Sequence, residues 1–170
     1  MTVDLGDDPD AAVVGDASTI PDGGKIVFIT SKTYPADLGA VVDYDGRCNI
    51  LSASAGLPGQ YIAYVAPQSG SASTRFDAPA EWYRLDGTLV FDAIPSSQDA
   101  KAAVEINELG AKVSATAYAW TGENGTRCDS WSSADPTRAA VIGDAHDASA
   151  WATAGSRGCD EHHRIYCFEK

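Results

Sequence analysis

The chain has little positive charge: 12 Lys and Arg stand against 24 Asp and Glu in 170 residues, a net charge of −12. A field of that sign repels phosphate backbones, so no nucleic acid and no anionic membrane surface is expected as a partner. No uninterrupted apolar run approaches the roughly 18 residues that mark a bilayer span, so no membrane insertion by the domain itself is expected. The start, Met1-Thr2-Val3-Asp4, lacks a basic segment followed by an apolar one, and the expectation is that an export signal or lipoprotein segment has been removed ahead of it. Also missing are a Gly-x-Ser-x-Gly elbow, a His-Glu-x-x-His pair and a glycine-rich phosphate loop closed by Lys. With only His146, His162 and His163 to draw on, nothing supports a Ser-His-Asp arrangement, and no enzyme is expected. No repeat of solenoid period is present.

What the chain does have is 44% hydrophobic and 21% charged residues, enough for a true core. Its four cysteines, Cys48, Cys128, Cys159 and Cys167, contain no Cys-x-x-Cys pair, and they read as two structural disulfides in an oxidising compartment. Three connectivities are open at this point. The competing use is zinc, because Cys159 and Cys167 flank His162 and His163, four ligands of suitable chemistry. Metal knuckles hold their first pair two to four residues apart, however, and the disulfide reading is preferred; no cofactor is expected. The sequon Asn124-Gly125-Thr126 reads as chance.

Residues 1–22 carry Asp4, Asp7, Asp8, Asp10, Asp16 and Asp22 with no Lys or Arg, and read as an acidic flexible tether. Their spacing lacks the Asp-x-Asp-x-Asp-Gly pattern of a calcium loop. Residues 23–170 form the domain. Lys25-Ile26-Val27-Phe28-Ile29-Thr30 reads as a buried strand, and Tyr61–Val65 as another. Asp43 is expected to cap a helix that turns Tyr44, Cys48, Leu51 and Ala55 inward and stops at Gly56. Asp86-Gly87 reads as a two-residue hairpin turn between Trp82–Leu85 and Thr88–Phe91. A second helix is expected over Gln98–Leu109, capped by Ser96 and Asp99, with Ala102, Ile106 and Leu109 inward and Gly110 as its stop. Ser114–Thr121 alternates as a strand does, residues 122–158 read as a long irregular loop, and Arg164–Phe168 as the last strand.

Several segments, in this order, resemble the C-type lectin-like superfamily, and within it the endostatin-like branch found among bacterial surface lipoproteins. They are Lys25–Thr30, Leu38-Gly39, Asp45-Gly46-Arg47-Cys48, Ala55-Gly56-Leu57-Pro58-Gly59, Trp120-Thr121-Gly122, Cys128-Asp129-Ser130-Trp131 and Arg164-Ile165-Tyr166-Cys167. The resemblance covers about residue 24 to the end. It implies an α+β domain with two helices packed on a mixed, mostly antiparallel sheet and a long irregular loop region. It also implies two nested disulfides, Cys48 with Cys167 and Cys128 with Cys159, and first and last strands that pair. The function it implies is recognition or adhesion by a secreted or cell-surface module.

The calcium-dependent members of that superfamily use Glu-Pro-Asn or Gln-Pro-Asp followed by Trp-Asn-Asp. Here Asp135-Pro136-Thr137 and Ala150-Trp151-Ala152-Thr153 stand in those places, so calcium-independent binding is expected. The candidate binding residues are Asp129, Trp131, Asp135, Arg138, Asp144, His146, Asp147, Trp151 and Arg157. Among them Asp144, His146 and Asp147 have metal-ligand or partner chemistry, but read more simply as a solvated turn in which Asp144 caps the backbone. Trp120 and Trp151 read as core, whereas Trp131 is open between packing and a ligand platform. The expected work is non-catalytic binding of an extracellular protein or polysaccharide through the face formed by residues 122–158. The alternative is a structural domain of a larger surface assembly.

Overall fold

Ile26-Val27-Phe28-Ile29 is apolar at every position, which is stable in a strand only when both faces are covered. These residues lie in β1 (Lys25–Ile29), the central strand of a five-stranded sheet. The computed structural model describes residues 19–96 and 100–170. Most of the expected tether, residues 1–18, and the start of the expected second helix at Gln98 and Asp99 lie outside the described residues.

The sheet runs β3 (Tyr61–Ala63), β10 (Tyr166–Glu169), β1, β4 (Trp82–Tyr83), β5 (Leu89–Phe91). β1 pairs antiparallel with β10, Val27 opposite Phe168 and Ile29 opposite Tyr166, so the first and last strands do lie side by side. β1 and β4 are parallel and the remaining pairs antiparallel, giving the mixed, mostly antiparallel sheet that was expected. Smaller ladders join β2 (Tyr34–Pro35) to β9 (His162–His163), and β6 (Tyr118–Trp120) to β7 (Ala139–Asp144) and β8 (Gly155–Gly158).

The period of two divides the core into two layers. Val27, Ile29, Ile62, Tyr64, Trp82, Phe91, Tyr166 and Phe168 face one side, where Phe76 and Trp151 complete an aromatic cluster. Ile26, Phe28, Tyr61, Ala63 and Cys167 face the other, against Tyr44, Cys48, Trp120 and Trp131.

That second side is covered by α1 (Val41–Ser54). The helix starts two residues before Asp43, whose Oδ2 accepts the Ala40 N–H at 2.9 Å, half of a capping box. It stops as expected: Gly56 has φ +72°, and the bonds Gly56 N–H to Ala53 O (3.1 Å) and Leu57 N–H to Ser52 O (2.9 Å) make a Schellman motif. The helix also guards the sheet edge. Asn49 bonds both the N–H and C=O of Tyr61, at 2.9 and 2.8 Å, and Asp45 accepts the Ala63 N–H at 2.8 Å. The outer rim of β3 is thereby closed to another strand.

Two disulfides are present with the nested pairing, Cys48–Cys167 and Cys128–Cys159, and no described cysteine is free. The zinc arrangement is therefore overturned, because its two sulfurs are each bonded to another sulfur. No helix among the described residues is long and apolar enough to cross a membrane.

Three expectations are corrected. Residues 100–109 of the expected second helix are not helical. Val104 and Ile106 are buried in strand-like alternation, while Leu109 is 50% exposed. Asn107 Oδ1 accepts the N–H groups of Leu109 and Ala111, both at 3.0 Å, a side-chain-made turn that competes with helix. The hairpin turn has three residues, Leu85-Asp86-Gly87, because the closing bond runs from Arg84 N–H to Thr88 O (2.9 Å) with Gly87 at φ +83°. Finally, residues 122–158 are less irregular than expected, since they contain β7 and β8.

Candidate functional site

The second helical segment, Cys128–Trp131, is a single turn of the wrong hand. Cys128, Asp129, Ser130 and Trp131 have φ of 49, 54, 57 and 67°. For non-glycine L-residues the left-handed helix costs about 1–2 kcal/mol each, so the surroundings must over-determine it. Several restraints do so. Cys128 is bonded to Cys159, closing a separation of 31 residues, which the chain-entropy account values at roughly 3–4 kcal/mol. Trp131, 1% exposed, lays its ring against Tyr44 and donates its indole N–H to Ala66 O at 2.8 Å. Helical bonds of the opposite hand run from Trp131 N–H to Arg127 O (2.8 Å) and Ser132 N–H to Cys128 O (3.0 Å). Gly39 N–H caps Trp131 O at 2.8 Å. Gly122 must be glycine here: a Cβ would stand 2.8 Å from the Trp131 ring.

This turn is a ridge between two open grooves. The larger, about 500 Å³, is lined by Gln68, Thr126, Arg127, Asp129, Thr137 and Arg138. The smaller, about 340 Å³, lies between the turn and the start of α1, lined by Gly39, Val41, Gln68, Ser130 and Ser132. Gln68, Asp129 and Ser130 border both. The wall that carries Gln68 is pinned from below. Arg127 donates to Pro67 O and Gly70 O, and buried Glu123 accepts from the Ser71 hydroxyl (2.5 Å) and the Ala72 N–H (2.9 Å).

Of the residues singled out from sequence, Asp129 and Arg138 come together here as an exposed ion pair. Trp131 lies under the turn and Trp151, 0% exposed, is in the aromatic layer with its indole N–H on Ser96 O at 3.0 Å; neither offers a ring face at the surface. Asp135 and Asp147 are occupied in local turns. The Thr137 N–H (2.8 Å) and hydroxyl hold the Asp135 carboxylate below its usual range. The Ser149 hydroxyl (2.6 Å) and N–H do the same for Asp147. Asp144 Oδ1 accepts the His146 N–H at 2.9 Å, the backbone-capping role. His146 turns away from these acids: Nδ1 meets Glu105 Oε2 at 2.9 Å and Nε2 meets Ser114 O at 2.6 Å. Arg157 stacks over Tyr118, 5.1 Å from its centroid. Among the described residues, no group of three His, Cys, Asp or Glu is placed to hold a metal ion.

Gln68, Ser130 and Thr137 escaped the sequence reading, because Gln68 is sixty residues away from the turn and nothing local marks it as its neighbour. A second polar centre also escaped. Glu105 is held by Lys112 (2.8 Å), His146 (2.9 Å) and Arg84 (3.3 Å). Burial pushes its carboxyl up, but the bonds from Lys112 and His146 outweigh it and leave the group below its usual range. His163 is pushed the other way from a typical paired histidine: burial lowers it despite the bond to Glu161 at 2.8 Å. No family model and no curated protein matches the chain.

Proposed function

We propose that the chain is a non-catalytic recognition module, displayed outside the cell or on its surface, that binds a protein or glycan without calcium through the face built by residues 122–158. The reading carries with it the C-type lectin-like, endostatin-like fold that the sequence resembles. The observation that supports it most is the left-handed turn standing rigidly between two grooves, since strain of this kind is kept where a fixed shape is useful. The two disulfides fit an oxidising compartment.

The test is an array of glycans and matrix proteins probed with the natural chain and with Gln68→Trp, which fills the shared border of both grooves. Binding that is insensitive to chelator and lost in Gln68→Trp, with thermal stability kept, supports the reading. Binders retained by the blocked variant, or released by chelator, overturn it. The assembly role is favoured by a different observation: Val42 and Ile50, 65% and 59% exposed, lie on the outer side of α1. It predicts self-association that Ile50→Glu abolishes in sedimentation.

A further inference from the structure

We infer that the larger groove reads a sparsely charged acidic saccharide, one carrying a carboxylate on alternate sugars, with Arg127 and Arg138 facing the anion. The inference rests on the proposal that this groove is the recognition site, and it names the ligand class. In a chain of net charge −12, this groove is lined by two arginines and one acid, Asp129. Among the described residues no carboxylate pairs with Arg127. Its Nη1 donates to the carbonyls of Pro67 and Gly70, and its Nε to Gly125 O at 3.4 Å, so its charge is met only by dipoles. Arg138 is about half exposed and meets Asp129 through Nη1. A guanidinium has five donors in a planar fork that matches a carboxylate, so one contact leaves Arg138 donors to offer a ligand.

The rest of the lining decides between sugar and peptide. Gln68, Thr126, Ser130 and Thr137 present amide and hydroxyl groups beside apolar surface, with Ala139 and the disulfide-bonded Cys128 as the apolar side chains. Protein partners are held chiefly by Trp, Tyr and Arg; this groove has arginines, but it has no aromatic residue in its lining, and the one tryptophan of the turn is buried. Polyhydroxylated rings ask for what this groove has. The acids beside the pair set the density of the ligand. Fields reach only about 8 Å at physiological salt, so the arginine pair acts on one carboxylate while exposed Asp135, which accepts the Thr137 N–H at 2.8 Å at the rim, repels a second anion set close to the first.

The experiment is calorimetric titration of the whole chain with a hyaluronan tetrasaccharide, its carboxyl-reduced neutral form, a fully charged oligogalacturonate of the same length and an oligoglutamate. The expected result is binding of the hyaluronan fragment, at least tenfold weaker binding of the reduced form and of the oligogalacturonate, and a tenfold loss in Arg138→Met. Arg138→Lys should recover part of that loss. Arg138 is the variant of choice because Arg127 also holds the Gln68 wall. Equal binding of the neutral sugar, no effect of Arg138→Met, or capture of oligoglutamate alone would overturn the inference. Loss in Gln68→Trp without loss in Arg138→Met removes the acidic-ligand inference and leaves recognition standing. Indifference of every binder to both variants removes recognition as well.

Discussion

Ser130 has a left-handed backbone, and its hydroxyl makes no hydrogen bond among the described residues. Glycine ordinarily weakens a helix by about 0.5–1 kcal/mol, but here it removes a Cβ penalty instead. Ser130→Gly is expected to raise stability by about 1 kcal/mol in urea titration; a loss of that size would mean the turn is not left-handed in solution. Trp131→Ala should cost about 3–5 kcal/mol, since it empties a buried site and leaves Ala66 O without its donor. Cys-Asp-Ser-Trp contains no glycine, so nothing in the residues announced a left-handed turn. Trp120 and Trp151 were legible as core, because tryptophan beside a disulfide most often packs.

At the level of elements, strand β1 was readable because its apolar run is unbroken, and helix α1 because Tyr44, Cys48 and Leu51 fall at helical spacing and Gly56 ends it. Residues 100–109 misled for the same reason that they looked regular. Ala102, Ile106 and Leu109 fall at helical spacing, yet Asn107 turns the chain between Ile106 and Leu109. β8 was hidden by composition, since Gly, Ser and Arg carry little strand preference, and β7 offers only Val141 and Ile142 among Ala, Gly and Asp; the pairing of β7 with β6 and of β8 with β7 supplies the order. The pH response belongs here. Both His163 and Glu105 bind protons less readily when folded, so the unfolded chain takes them up first and stability falls as pH falls. We expect full stability above the ordinary histidine value of 6.5 and a first decline below it that His163→Gln flattens. A second decline, below the ordinary glutamate value of 4.5, should flatten in Glu105→Gln; melting temperatures between pH 3 and 8 check both. Asn49→Ala removes both bonds to Tyr61, with an expected cost of about 1–3 kcal/mol and concentration-dependent association through the opened β3 edge.

For the molecule as a whole, the cysteine register carried more of the architecture than any single element. Four thiols and an order of segments led to the nested pairs, whereas the two grooves arise from chain segments near residues 39, 68, 130 and 138 that only folding brings together. Replacing Cys128 and Cys159 with Ala should cost roughly 3–4 kcal/mol and speed amide exchange across residues 122–158, with the five-stranded sheet protected as before. Equal loss of protection in both regions would show that the inner bond supports the whole fold.

The outer bond has a mechanical meaning. It links Cys48 to Cys167 across 119 positions, and it does so beside the two strands through which a pull on the chain's ends would enter and leave. Tension then crosses from one sulfur to the other and bypasses everything in between. Under stretching by the chain's ends, only the segments before Cys48 and after Cys167 can lengthen; the lining of the larger groove lies between those cysteines, whereas the Gly39 and Val41 side of the smaller one does not. The residues of the larger groove thus sit inside a covalent loop that the separation of the chain's ends does not extend.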